Sequence, residues 1–242
     1  MKRSIYFAAV ALFCCVTGLR AQKTIEVGAG ADVVSSYVWR GVYQAGVSVQ
    51  PSVSASYRGF TLGAWGSSDV GFAGMGHKEF DYSLFYSICG LSVGVTDYWW
   101  NGVGAPYFAA PYKDSHYFEG TVSYCFGEKF PLTLAWSTMF AGADTELDAQ
   151  GKVRQMYSSW FEAAYDFRVK EVACTASLGV SPWKASWLGA TRGATKEFTV
   201  AALGFKAAKE IAFTDKFSLP VFAQAILSPA ADEAHLVFGI SF

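Results

Sequence analysis

The chain is 242 residues long, 52% hydrophobic and 17% aromatic but only 16% charged, where an ordinary soluble domain carries about 25% charge. Its 19 Lys and Arg and 20 Asp and Glu form no basic stripe, which excludes nucleic acid as a partner. The apolar surplus must therefore face something larger than a small core.

The first predicted element is a leader. Lys2 and Arg3 precede the apolar run Ile5 to Val16, and Ala21 is a small residue at the expected cleavage point. A run of about twelve residues suits a secretory signal and is too short for a membrane helix. Residues 1–21 read as a cleaved signal peptide and 22–242 as one exported domain. Without Lys2, Arg3 and Arg20, 16 basic residues face 20 acidic ones, a net of −4. Cys89, Cys125 and Cys174 remain, an odd count with no zinc spacing, and they read as small apolar wall residues.

Beyond the leader, strand succeeds strand in alternating character. The first runs from about Thr24 to Trp39, with Ile25, Val27, Ala29, Ala31, Val33, Tyr37 and Trp39 outward and Glu26, Asp32, Ser36 and Arg40 inward. Val47 to Tyr57 alternates Val47, Val49, Pro51, Val53, Ala55 and Tyr57 with Ser48, Gln50, Ser52, Ser54 and Ser56. After Arg58-Gly59 the phase restarts, with Phe60, Leu62 and Ala64 on one side and Thr61, Gly63 and Trp65 on the other. Such a period of two marks an extended strand with one greasy and one wet face. Further strands are expected at Glu79–Ile88, Leu91–Tyr98, Tyr117–Phe126, Leu132–Phe140, Tyr157–Phe167, Val172–Val180, Glu197–Lys206, Phe217–Leu227 and Ala234–Phe242. About twelve amphipathic strands behind an export signal predict an all-β fold, an antiparallel up-and-down transmembrane β-barrel.

Turn lengths orient it. The links Arg58-Gly59, Cys89-Gly90 and Arg168 to Glu171 are short, whereas Asn101 to Ser115 and Ser181 to Lys196 are long. Short periplasmic turns and long external loops are the usual asymmetry, so both termini are expected in the periplasm. The rings of Tyr57, Phe60, Phe126, Phe167, Phe217 and Phe242 fall at short-turn ends of outward faces, and Trp39, Phe80, Phe140 and Tyr157 at long-loop ends. Two such belts are what interfacial aromatics form in outer-membrane lipid.

The last strand ends on Phe242. A closing aromatic of this kind resembles the signal by which bacterial assembly machinery recognises its barrel clients, and implies a Gram-negative type envelope. The stretch Ser36-Tyr37-Val38-Trp39-Arg40-Gly41 resembles the opening motif of the TorF family of small outer-membrane porins. The likeness continues through Gln50-Pro51, Gly59-Phe60, Gly63, Trp65 and Glu79-Phe80-Asp81, and departs at Val42-Tyr43, where a small polar residue is expected. It covers roughly 32–100 and implies a porin-like barrel.

By parity the lumen carries Glu26, Asp32, Glu79, Asp81, Glu119, Glu162, Asp166, Glu197 and Glu233 against Arg40 and Arg58. Acidic rings favour cations in a pore. Arg40 and Asp32 share the inward face eight residues apart, roughly 26 Å along a strand, too far to touch. Arg40 is within reach of Glu79 or Asp81, either as a brace across the lumen or as a filter charge. Gly41 permits the turn into the loop.

Enzymatic chemistry is sparse. Asp114, Ser115, His116 and Glu119 form a nominal set of the kind found in lipid-acting barrels, but neighbours on a strand face opposite ways. Asp144, Glu146 and Asp148 alternate in a loop and read as solubility or weak calcium binding. No cofactor, metal or catalytic step is expected. The expected function is passive diffusion of small polar solutes or ions, with mild cation preference. The alternatives are a non-conducting adhesive barrel or, less favoured, a lipid-modifying one.

Overall fold

A computed structural model describes residues 24–70, 78–100, 107–108, 115–188, 198–214 and 217–242. In chain order the strands are β1 (Glu26–Val34), β2 (Tyr37–Trp39), β3 (Val42–Ala45), β4 (Ser48–Tyr57), β5 (Phe60–Asp69), β6 (Lys78–Ile88), β7 (Leu91–Trp99) and β8 (His116–Cys125). They continue as β9 (Leu132–Gly142), β10 (Thr145–Leu147), β11 (Val153–Gln155), β12 (Ser159–Val169), β13 (Val172–Ser181), β14 (Thr199–Thr214), β15 (Phe217–Ser228) and β16 (Glu233–Ser241). Twelve of these close an antiparallel barrel, each beside its sequence neighbour, while β2–β3 and β10–β11 form two separate hairpins.

The period-2 pattern becomes two walls. Val53, Leu62, Leu84, Val93, Val122, Leu203, Phe238 and Ile240 stand exposed on the outside. Opposite them, serine and threonine line the inside and pair across strands: Ser56 with Thr61 at 2.9 Å, Ser87 with Ser92 at 2.9 Å and Thr121 with Ser137 at 2.8 Å. These hydroxyls satisfy one another, so the wall at these positions is polar without carrying charge. The bulkier inward rings sit over glycines on the next strand: Phe85 over Gly94, Trp160 over Gly179 and Phe222 over Gly239. A side chain at any of these glycines would occupy the ring's place.

Two boundaries differ from expectation. The first strand stops at Val34 instead of running to Trp39, because Ser35 turns the chain inward. Its N–H donates to the Phe238 carbonyl at 2.8 Å, and its hydroxyl accepts from the Phe238 N–H at 2.9 Å. The tenth barrel strand, β14, continues to Thr214, well past Lys206, because β15 pairs with it from Leu203↔Leu227 to Thr214↔Phe217. The Ala- and Lys-rich stretch has weak β propensity, and partner pairing overrides it.

The barrel closes over a short seam. β1 and β16 pair only from Asp32↔Ser241 to Val34↔Gly239. Reciprocal backbone bonds between Ala31 and Phe242 add to this; among the described residues, Glu26–Gly30 pairs with β4 alone. Glu26, where β1 begins, and Ser241, where β16 ends, share the end with the short Arg58-Gly59 and Cys89-Gly90 turns.

Candidate functional site, a hairpin folded into the lumen

Between β1 and β4 the chain enters the barrel. β2 and β3 pair through Trp39↔Val42, joined by Arg40 (φ 50°) and Gly41 (φ 80°). Positive φ at both central residues makes the type I′ hairpin turn that right-twisted strands prefer. The same geometry recurs at Arg58-Gly59 and Cys89-Gly90. Here the hairpin crosses the lumen: a Cβ on Gly41 would overlap the Ala201 carbonyl of β14 and lie 3.0 Å from Ser228 Oγ. Only glycine fits there, both for conformation and for space.

The flanks of the hairpin are aromatic. Tyr37 and Trp39 are buried with Tyr98 and Met139, and Trp65, Trp100, Tyr117 and Trp187 pack against them. Trp39 meets the rings of Trp100, Trp187 and Tyr98 edge-on at 5.0, 5.4 and 5.9 Å, and Tyr37 meets Trp65 at 5.6 Å. Such edge contacts contribute about 0.5–1.5 kcal/mol each beyond area burial. Met139 has no accessible surface at all. This cluster fills the lumen around the hairpin at the long-loop end, while Asp166 and Glu26 nearer the short-turn end remain exposed.

Arg40 is the hairpin's polar tip. Its Nη1 and Nη2 donate to Glu119 Oε1 and Oε2 at 2.8 and 2.9 Å, and both side chains are almost wholly buried. The Tyr98 hydroxyl adds a 2.9 Å bond to Glu119 Oε2. The guanidinium carbon lies 4.4 Å from the Trp39 ring, 4.7 Å from Trp187 and 5.3 Å from Trp160. Glu162 acts electrostatically on Arg40, while accepting the Trp160 indole N–H at 3.3 Å. A forked, caged ion pair of this kind is the strong form of the interaction.

The remaining inward acids have their own settings. Glu79 accepts the Trp100 indole N–H at 2.5 Å and a bond from Tyr37, and Asp81 is buried two residues along β6. Asp32 takes a bond from Ser241 and faces Lys206, whose ammonium sits 3.9 Å over the Phe222 ring. Asp166 accepts from Thr175 Oγ1 at 2.6 Å. Glu197 lies outside the described residues.

Three expectations are corrected. Trp39 is not part of the outer aromatic belt: the chain turns in at Ser35, so the ring packs inside the lumen. Tyr57, Phe60, Phe126, Phe140, Tyr157, Phe167, Phe217 and Phe242 are exposed. Arg58 does not line the lumen either, because it occupies the positive-φ turn with its guanidinium 5.1 Å from the Tyr57 ring. Arg40 meets Glu119 rather than Glu79 or Asp81. Of the motif residues, Tyr37, Trp39, Arg40 and Trp65 converge in the plug with Ser36 and Gly41 shaping it, while Pro51 is exposed on β4 and Gly63 lies under Ser83.

Sequence reasoning missed Tyr98, Met139, Trp160, Trp187 and Lys206. For two of these a signal existed: parity turns Tyr98 and Trp160 inward at the same end as Trp65, more aromatic bulk than an open lumen would hold.

His116 takes no part in a hydrolytic set with Glu119. Its Nδ1 lies 2.8 Å from Asp97 Oδ1 and its Nε2 lies 3.1 Å from the Tyr107 carbonyl, while Glu119 is committed to Arg40. Asp114 lies outside the described residues. The loop acids diverge as well. Asp144 is buried and accepts from the Ser158 N–H at 2.9 Å, Glu146 pairs with Lys184 at 2.7 Å and Asp148 with Arg154 at 2.6 Å. The Arg154 hydrogen bond and the Lys152 and Gln150 amides hold the Asp148 carboxyl below its ordinary value of 3.8. Lys209 does the same for Glu171 at the opposite end. Among known proteins, no family model and no characterised protein matches this sequence.

Proposed function

We propose that this chain is an outer-membrane channel that admits small polar solutes passively and rests closed, its hairpin plugging the long-loop half of the lumen. Twelve strands give a lumen between the filled eight-stranded barrels and the open porins. The observation that carries the reading is the contrast along that lumen: a hydroxyl-lined passage ends against a plug held at its tip by one buried ion pair. Lipid contacts the apolar wall, the long loops face outward, and the strand ending in Phe242 serves the barrel assembly machinery. The TorF-like motif from Ser36 to Gly41 supports the same reading, since its Arg40 is the plug's anchor. No catalytic step forms part of the proposal.

Inward acids outnumber inward bases among the described residues. Glu26, Asp32, Glu79, Asp81, Glu119, Glu162, Asp166, Glu210 and Glu233 stand against Arg40, Arg168 and Lys206, which supports mild cation preference. Planar-bilayer recording tests both parts. The refolded chain is expected to show long closures, and a variant with 36–46 replaced by a short Gly-Ser linker is expected to show steady open steps. Under a salt gradient that variant's reversal potential should have the sign of cation selectivity. One observation favours a second reading, a non-conducting barrel that presents its loops: Met139 and the rings packed around it are buried at the level of the hairpin. Persistent silence of the shortened variant would establish that reading and defeat the channel.

A further inference from the structure

We infer that the pocket around Arg40 is a receptor for guanidinium cations, in which the hairpin's own arginine is the resident occupant. The inference names a solute class for the channel proposed above. It rests on that reading for transport only, since binding at the pocket stands by itself.

Most of the groups that hold the guanidinium do not belong to the hairpin. Glu119 comes from β8, Tyr98 from β7, Trp160 and Glu162 from β12, and Trp187 from the turn at Ser186–Leu188. The hairpin supplies only Arg40 and the Trp39 ring. Were the tip withdrawn, the wall would keep a carboxylate spaced for a two-pronged donor, with one oxygen fixed by Tyr98, between the indoles of Trp160 and Trp187. That arrangement matches the planar fork of a guanidinium and the preference of indole faces for cations.

Charge points the same way. Glu119 is 1% exposed, and an uncompensated carboxylate there is strongly unfavourable. Glu162 adds a second acid toward one arginine, so the empty pocket attracts a positive ion rather than water alone. The tether gives Arg40 an effective concentration on the order of mM, so a free guanidinium must exceed that range to displace it.

Chemical rescue tests this. Refolded Arg40→Ala in detergent micelles is titrated with guanidinium chloride, against sodium chloride at equal ionic strength, and followed by tryptophan fluorescence. A saturable change is expected with half-saturation in the low mM range, at least tenfold tighter than in Arg40→Ala/Glu119→Gln. Wild-type protein, whose pocket is filled, should need at least tenfold more guanidinium. If Arg40→Ala refolds poorly, its yield on heat-modifiability gels should rise with mM guanidinium and not with sodium. A response identical to sodium, one that survives Glu119→Gln, or no rescue of folding by guanidinium would overturn the inference. Binding in micelles requires no conduction, so silence of the shortened variant would remove the channel and leave this result standing.

Discussion

Two Arg-Gly dipeptides make the same turn and meet opposite fates. Arg40-Gly41 and Arg58-Gly59 share φ values of 50° and 80° or more. Yet Arg58 ends exposed against the Tyr57 ring, whereas Arg40 ends buried in a carboxylate and three indoles. Local chemistry decides that the chain reverses; what the flanking strands meet decides where the reversal lies. Val53 to Tyr57 and Phe60 to Trp65 each pair with a barrel neighbour along their length, so their turn stays at the rim. Among the described residues, Tyr37 to Trp39 and Val42 to Ala45 pair only with each other, and their rings are covered by folding inward.

The sharpest way to break this comparison is to delete both charges. Arg40→Ala leaves Glu119 buried and unpaired and is expected to destabilise the barrel by about 3–5 kcal/mol. Arg58→Ala, on an exposed turn, is expected to stay within about 0.5 kcal/mol. Urea unfolding in detergent measures both, and equal effects would undo the contrast. Next come the glycines. Alanine at either position costs about 1–2 kcal/mol for the left-handed backbone, and each methyl meets a backbone carbonyl, but the Gly41→Ala methyl overlaps Ala201 more deeply than the Gly59→Ala methyl approaches Ser87, at 2.7 Å. It should exceed Gly59→Ala and alone alter the near-ultraviolet dichroism of the buried tryptophans.

Smaller effects sharpen the picture. Gly179→Ala displaces the Trp160 ring from beside Arg40 and is expected to cost about 1–3 kcal/mol. Gly120→Ala, whose methyl would meet Phe140 at an ordinary 3.6 Å, serves as the near-neutral control. The smallest effect is titration of Asp148. Its carboxyl is held below 3.8 by Arg154, so the contact's stabilisation is complete above the ordinary carboxyl range and is lost as pH falls through the lowered value. Carbon-detected NMR should show that midpoint, and Arg154→Ala should return it toward 3.8.

The barrel was legible because alternation encodes it directly. From Ser48 to Tyr57 and from Leu91 to Trp99 the strands form where the period of two places them, with Val49, Val53, Leu91, Val93 and Val95 on the outer wall. The plug was not, because the alternation of Ile25 to Val33 resumes in phase at Tyr37 and Trp39 after the lapse at Val34-Ser35, and nothing in a period of two distinguishes lipid from the lumen's interior. Ser35-Ser36 ahead of an Arg-Gly pair marked the turn inward, but serine is also common on inner faces. Trp187 had no periodic signal, since it reaches the cage from a short turn in a long loop. The length of β14 was hidden for the opposite reason. Lys206 to Glu210 reads as poor strand locally and is extended by its neighbour.

The seam between β1 and β16 has a consequence for how the cylinder is made. All other neighbouring staves are linked by a chain reversal, so each zips from a fixed hinge. The first and last have none, and a few rungs between Ala31–Ser35 and Phe238–Phe242 must hold the hoop closed. Lateral parting under heat or tension should begin along that line, where among the described residues Glu26 to Gly30 is paired with β4 alone.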